Sequence, residues 1–119
     1  MKKTLILGAT SNPARYAHLA AISLVAHGHP IINVGIHLGE AAGQPIEMPN
    51  IIHNDIDTIT LYLNPTHQKE YYSYILGMKP SRIIFNPGTE NSDLAILARA
   101  NGILVEESCT LVLLSTGQY

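Results

Sequence analysis

The 119-residue chain is short of charge, of cysteine and of long apolar runs. Charged side chains make up 13% of it, the formal charge is −2, and no lysine-arginine run occurs. The basic stripe that neutralises a phosphate backbone is therefore missing, and no nucleic-acid partner is expected. A single cysteine, Cys109, leaves no internal disulfide and fits a reducing cytosol. Met1-Lys2-Lys3 followed by Thr4 to Gly8 imitates the start of a secretory signal. Gly8, Ser11, Asn12 and Pro13 break that stretch before it reaches the length of a signal core or a membrane span. The expectation is one soluble cytoplasmic domain over 1–119, with no membrane association. A chain this long buries roughly two thirds of its unfolded surface.

What is present is a recurrence. Three short apolar runs end in Asn-Pro, at Asn12-Pro13, Asn64-Pro65 and Asn86-Pro87. Asn is a good helix N-cap and proline suits the first helical position. Strands are expected over 3–8, 31–36, 58–63, 82–85 and 103–106, with a short final one over 110–114. Helices are expected over 13–27, 65–76 and 92–100, stopped by Gly28, Gly77 and Gly102. The stretch 37–54, with Gly39, Gly43, Pro45 and Pro49, reads as a surface loop. Alternating strands and helices at this spacing give right-handed βαβ units. The fold class is α/β: a Rossmann-like three-layer α/β/α domain with a mostly parallel sheet of five or six strands. The Asn-Pro pairs then gather along the edge where open α/β sheets bind ligands.

The loop Gly8-Ala9-Thr10-Ser11-Asn12-Pro13 joins the first strand to the first helix. Its small side chains let an anion approach the main-chain amides, and Arg15 adds a cation in the first helical turn. It is neither a GxGxxG fingerprint nor a P-loop. Two readings stay open: a tight structural turn, or a phosphate cradle. The second strand ends Asn33-Val34-Gly35-Ile36-His37 with no acid before Glu40. A domain for NAD usually carries one there for the ribose hydroxyls, which counts against NAD. The six histidines do not assemble a metal set by spacing, and no metal is expected. Glu106 and Glu107 are adjacent, so on a strand they face opposite ways and cannot pair as acid and base. Cys109 has no neighbour that would activate it. Tyr71 and Tyr74 share a helix side and read as packing residues. No catalytic set is recognisable.

These segments resemble the small stand-alone CoA-binding proteins, which are similar to the N-terminal domain of the succinyl-CoA synthetase alpha subunit. The resemblance rests on Gly8 to Pro13, Gly28, the strand to Gly35, Leu63-Asn64-Pro65, Asn86-Pro87-Gly88, Leu94 to Gly102 and Glu106-Glu107-Ser108-Cys109. It implies CoA or acyl-CoA bound at Gly8, Ala9, Thr10, Ser11, Asn12, Pro13, Arg15, Gly35, His37, Leu63, Asn64, Pro65, Asn86, Pro87 and Gly88. It implies no established reaction. The chain departs from the pattern in three places. Gly35-Ile36-His37 stands where the family often has Asn-Pro-Lys, Leu63 and Asn64 where it often has arginine, and Ala17-His18 where it has Ser-Tyr. Two alternatives are an NAD(P)-binding oxidoreductase-like protein and an interaction module that has lost its ligand. A homodimer through the apolar Leu111 to Leu114 belongs to the second of these.

Overall fold

Four apolar strands in a row set the architecture of the computed structural model, which describes residues 1–119. Thr4–Leu7 (β1), Ile31–Val34 (β2), Thr58–Leu61 (β5) and Arg82–Phe85 (β6) lie side by side and parallel. Glu40–Ala41 (β3), Gln44–Glu47 (β4) and Leu104–Glu107 (β7) complete a seven-stranded sheet in the order β3-β4-β2-β1-β5-β6-β7. Only β3 runs antiparallel, as one arm of a hairpin with β4. The helices are Tyr16–Ala26 (α1), Pro65–Gln68 (α2), Tyr72–Gly77 (α3), Ser92–Ala100 (α4) and Thr110–Ser115 (α5), with a 3₁₀ turn over Lys69–Tyr71 between α2 and α3.

Strand side chains alternate between faces, so each strand serves two cores. Leu5, Leu7, Ile59, Leu61, Ile83 and Phe85 pack against Ile75 of α3 and Leu94, Ala95 and Ala98 of α4. Ile6, Ile31 and Ile84 pack on the other face, against Ala17, Ala21 and Leu24 of α1 and Leu113 and Leu114 of α5. This is a three-layer α/β/α fold. The chain leaves β1 toward β2 on one side and returns to β5 on the other, so the order reverses between β1 and β5. Such a switch point opens a crevice at the C-terminal ends of the two strands.

The sheet has seven strands where five or six were expected, the helix expected over 65–76 is interrupted by the 3₁₀ turn, and four further expectations are corrected. Residues 110–114 form a helix, α5, rather than a strand; Leu113 and Leu114 face the core, and only Val112 is well exposed. Thus half of the apolar run expected at a dimer face is spent inside. The stretch 37–54 is not all loop but contributes the β3–β4 hairpin, closed by Ala42 and Gly43 at φ of 53° and 76°. Two successive positive φ values match the twist of a two-residue hairpin turn. α1 begins at Tyr16 instead of Pro13, because Asn12 accepts from the amide of Ala14 in a local turn and caps no helix. Gly77 lies inside α3; the left-handed stop falls on Lys79, at φ 49°.

A cleft at the switch point

Three loop starts meet above β1, β2 and β5. Gly8 has a φ of 98°, and a Cβ there would stand 3.0 Å from the carbonyl carbon and oxygen of Tyr62. Only glycine permits that approach. Gly35 is packed still closer: a side chain on it would collide with the carbonyl oxygen of Ala9. These contacts form the floor of a cleft of about 500 Å³. Its walls are Thr10 and Ala14 to Ala17 on one side, Ile36, His37 and Pro49 on another, and Tyr62, Leu63 and Tyr71 on the third.

The turn from β1 into α1 leaves donors unused. The amides of Gly8 and Ala9 donate to Val34, that of Asn12 to the Thr10 hydroxyl, and those of Ala14 and Arg15 to Asn12. Thr10, Ser11, Tyr16 and Ala17 donate their amides to no protein acceptor. No side chain caps α1, and no acid stands in its first turn. The positive pole of this helix is therefore open to an outside anion. His18 steadies the loop from within α1: its Nδ1 donates to the Thr10 carbonyl at 2.9 Å. A carbonyl can only accept, which fixes the proton on Nδ1.

Of the expected site residues, Gly8, Ala9, Thr10, Arg15, Gly35, His37 and Leu63 line the cleft. Ser11, Asn12 and Pro13 lie exposed on the outer side of the loop, Ser11 against Gly39. Asn64 and Pro65 start α2 beside Leu63, where the Asn64 side chain accepts from the His67 amide. Asn86 is 2% exposed and is fully engaged inside the protein. Its Nδ2 donates to Thr60 Oγ1 at 2.7 Å and Leu61 O at 2.8 Å, and its Oδ1 accepts from the Thr110 amide at 2.9 Å. It is a strap between β5, β6 and α5, with nothing left for a ligand. Pro87 and Gly88 are exposed and do not line the cleft.

Sequence reasoning missed the aromatic walls. Burial pushes the Tyr62 phenol up to about 12, against the opposing pull of Thr110 and Thr60. At neutral pH it is a protonated, half-buried wall. The Tyr71 phenol is also raised, first by burial and then by the Glu70 carboxylate beside it. Gln68 was missed as well. It is fully buried, and its Nε2 donates to Leu63 O and Thr89 O at 2.8 and 2.7 Å. Asn91 closes the network by donating to Gln68 Oε1 and to the Tyr72 hydroxyl. No pattern marks a lone glutamine as the pin between two loops.

No three His, Cys, Asp or Glu side chains come together in a metal-holding group. No helix is long and apolar enough to cross a membrane. A mostly parallel sheet with helices on both faces and a cleft at its switch point define the Rossmann-like class of α/β domain. Within that class, the chain belongs to the CoA binding domain family, whose signature it matches over residues 2–115. It is similar to the crystal structure of an uncharacterised protein, at 51% identity and a TM-score of 0.98 over 100% of this chain and 98% of that one. A protein from Thermus thermophilus, cell-free ID.343, shares the fold at 18% identity and a TM-score of 0.85, over 99% of this chain and 90% of its own. A hypothetical protein from Pyrococcus horikoshii OT3 does so at 22% identity and 0.82, over 93% and 80%. No curated protein sequence matches the chain.

Proposed function

We propose that the protein is a binding module for CoA or an acyl-CoA, held by the diphosphate at the mouth of α1. The observation that carries this reading is the set of unspent amides at Thr10, Tyr16 and Ala17 beside Arg15, within one cleft of about 500 Å³. Membership of the CoA binding domain family supports it. A helix pole alone is worth about 0.3–1 kcal/mol to an exposed anion, so several amides must converge. Arg15 adds a fork of donors suited to phosphate oxygens. Tyr62, Leu63 and Tyr71 supply flat apolar surface for the uncharged parts of the ligand. Ile36 to His37 contribute no carboxylate for ribose hydroxyls, which favours this reading over NAD.

The module binds without a recognisable reaction: no nucleophile and base meet in the cleft lining. A thermal-shift series with CoA tests the reading. At a hundred times its dissociation constant a ligand adds about 2.7 kcal/mol, a rise of roughly 10 °C for a domain of this size. Arg15→Ala, on the exposed rim, weakens binding by about 1–2 kcal/mol, roughly tenfold, at unchanged ligand-free stability. No shift with CoA, acetyl-CoA or their adenosine fragments overturns it.

A further inference from the structure

The cations of this protein are sorted by edge of the sheet. Of its seven lysines and arginines, five lie at the edge away from the cleft. Lys2 and Lys3 precede β1, Lys79 and Arg82 stand at the start of β6, and Arg99 sits in the last turn of α4. Several are already engaged there: Lys3 with Asp55, Arg82 with Glu106, and Lys2 with the carbonyl of Tyr119. The cleft edge keeps only Arg15 and Lys69. The same edge carries carboxylates, at Glu70 in the 3₁₀ turn, Glu90 after β6 and Asp93 in the first turn of α4. Glu70 stands beside the hydroxyl of Tyr71, which lines the cleft. His37 is the one further basic side chain in the lining, and it is exposed.

CoA carries two kinds of phosphate. The diphosphate bridge bears about one charge per phosphorus and can be met by amides. The 3′-phosphomonoester bears about −1.5 to −2 at neutral pH and calls for cations of its own. The open amides and Arg15 suffice for the first. No second cation cluster exists at this edge for the other, and a monoester there meets the field of Glu70, Glu90 and Asp93.

We infer that the cleft takes an adenosine 5′-diphosphate ester without a phosphomonoester, so that dephospho-CoA is preferred over CoA. This rests on the reading of the cleft given above and narrows its ligand. Calorimetry on the full chain at low salt, with matched pairs, tests it. The pairs are dephospho-CoA against CoA, and NAD against NADP, each differing by one phosphomonoester. Dephospho-CoA is expected to bind about tenfold more tightly than CoA, a gap that narrows as salt is raised. In Glu70→Gln the gap narrows through a gain for CoA. NAD binding more tightly than dephospho-CoA overturns the CoA reading on which the inference rests. CoA binding as tightly as dephospho-CoA, or more so, overturns the inference and leaves the cleft reading standing. No heat with any of the four overturns both.

Discussion

The two faces of this sheet are buried in different ways. Toward α3 and α4 the interior is hydrocarbon: Leu5, Leu7, Ile59, Leu61, Ile83 and Phe85 are all 2% exposed or less. Toward α1 and α5 the same strands present, beside Ile6 and Ile84, the buried polar side chains Thr4, Thr58, Thr60 and Arg82. There Thr60 shares hydrogen bonds with Thr110 at 2.8 Å and with Asn86 at 2.7 Å. Arg82 donates to Thr58 Oγ1, Glu106 Oε1 and Tyr119 O, each at 3.1 Å, and lies 4.4 Å from the centre of the Tyr119 ring. Hydrocarbon is held by area and shape, so similar side chains can replace one another. A buried polar layer is held by pairing, where each group depends on a particular partner. Both faces therefore supply apolar packing, and the second also fixes, through its polar pairs, where α5 and the end of the chain sit.

Substitutions on the two faces can break or sharpen that contrast. The largest effect falls on the hydrocarbon side. Phe85→Ala costs about 3–5 kcal/mol by denaturant melting, whereas Ile83→Val costs only about 0.5–1.5. Were both to cost the same, that face would not be a shape-tolerant core. Next comes Thr60→Val, which changes shape little but leaves Asn86 Nδ2 and the Thr110 hydroxyl each short of a partner. It costs about 1–3 kcal/mol, and amide exchange at the start of α5 rises with it; unaltered stability would refute the pairing argument. Smallest at neutral pH is Tyr62→Phe. The raised Tyr62 phenol is favoured neutral in the folded state. Its contribution is thus complete below the unfolded value near 10 and is lost as pH climbs toward about 12. Tyr74, on the opposite face and also pushed up to about 12, acts in the same sense. The wild type loses stability across that window, and Tyr62→Phe loses less; identical alkaline curves would show that Tyr62 does not titrate with unfolding.

Much of this organisation was legible in the sequence. The strand–helix order and the parallel sheet followed from short apolar runs, from the cap at Asn64-Pro65 and from the stops at Gly28 and Gly102. Failures came where a local signal was ambiguous. An apolar run as short as Leu111 to Leu114 fits strand or helix equally, and only its place after β7 decided. The β3–β4 hairpin hid because Ala42 occupies a position where Asn or Gly would have announced the turn. Asn12 and Asn86 share a dipeptide with Asn64 but not its role. Asn12 closes a loop on itself ahead of a helix that starts later than expected, and Asn86 is drawn inward although α4 starts at Ser92 as expected. Gly8 was expected in the cleft from its loop and Gly35 from the family resemblance, but not their close packing on Tyr62 and Ala9. The aromatic walls of the cleft could not be read from sequence, since Tyr62, Tyr71 and Pro49 come together only through tertiary packing.

The contact of Gly8 with Tyr62 has a consequence for how this cleft can change over evolutionary time. Floor and fold are one property at that point. Any side chain at position 8 must wedge β1 from β5, so a variant that altered binding there would be removed for instability before its binding could be tested by selection. Arg15, exposed on the rim, meets no such backbone contact. Relatives of this protein can therefore drift in what they hold while keeping the same floor, and their differences in ligand should be written in rim residues.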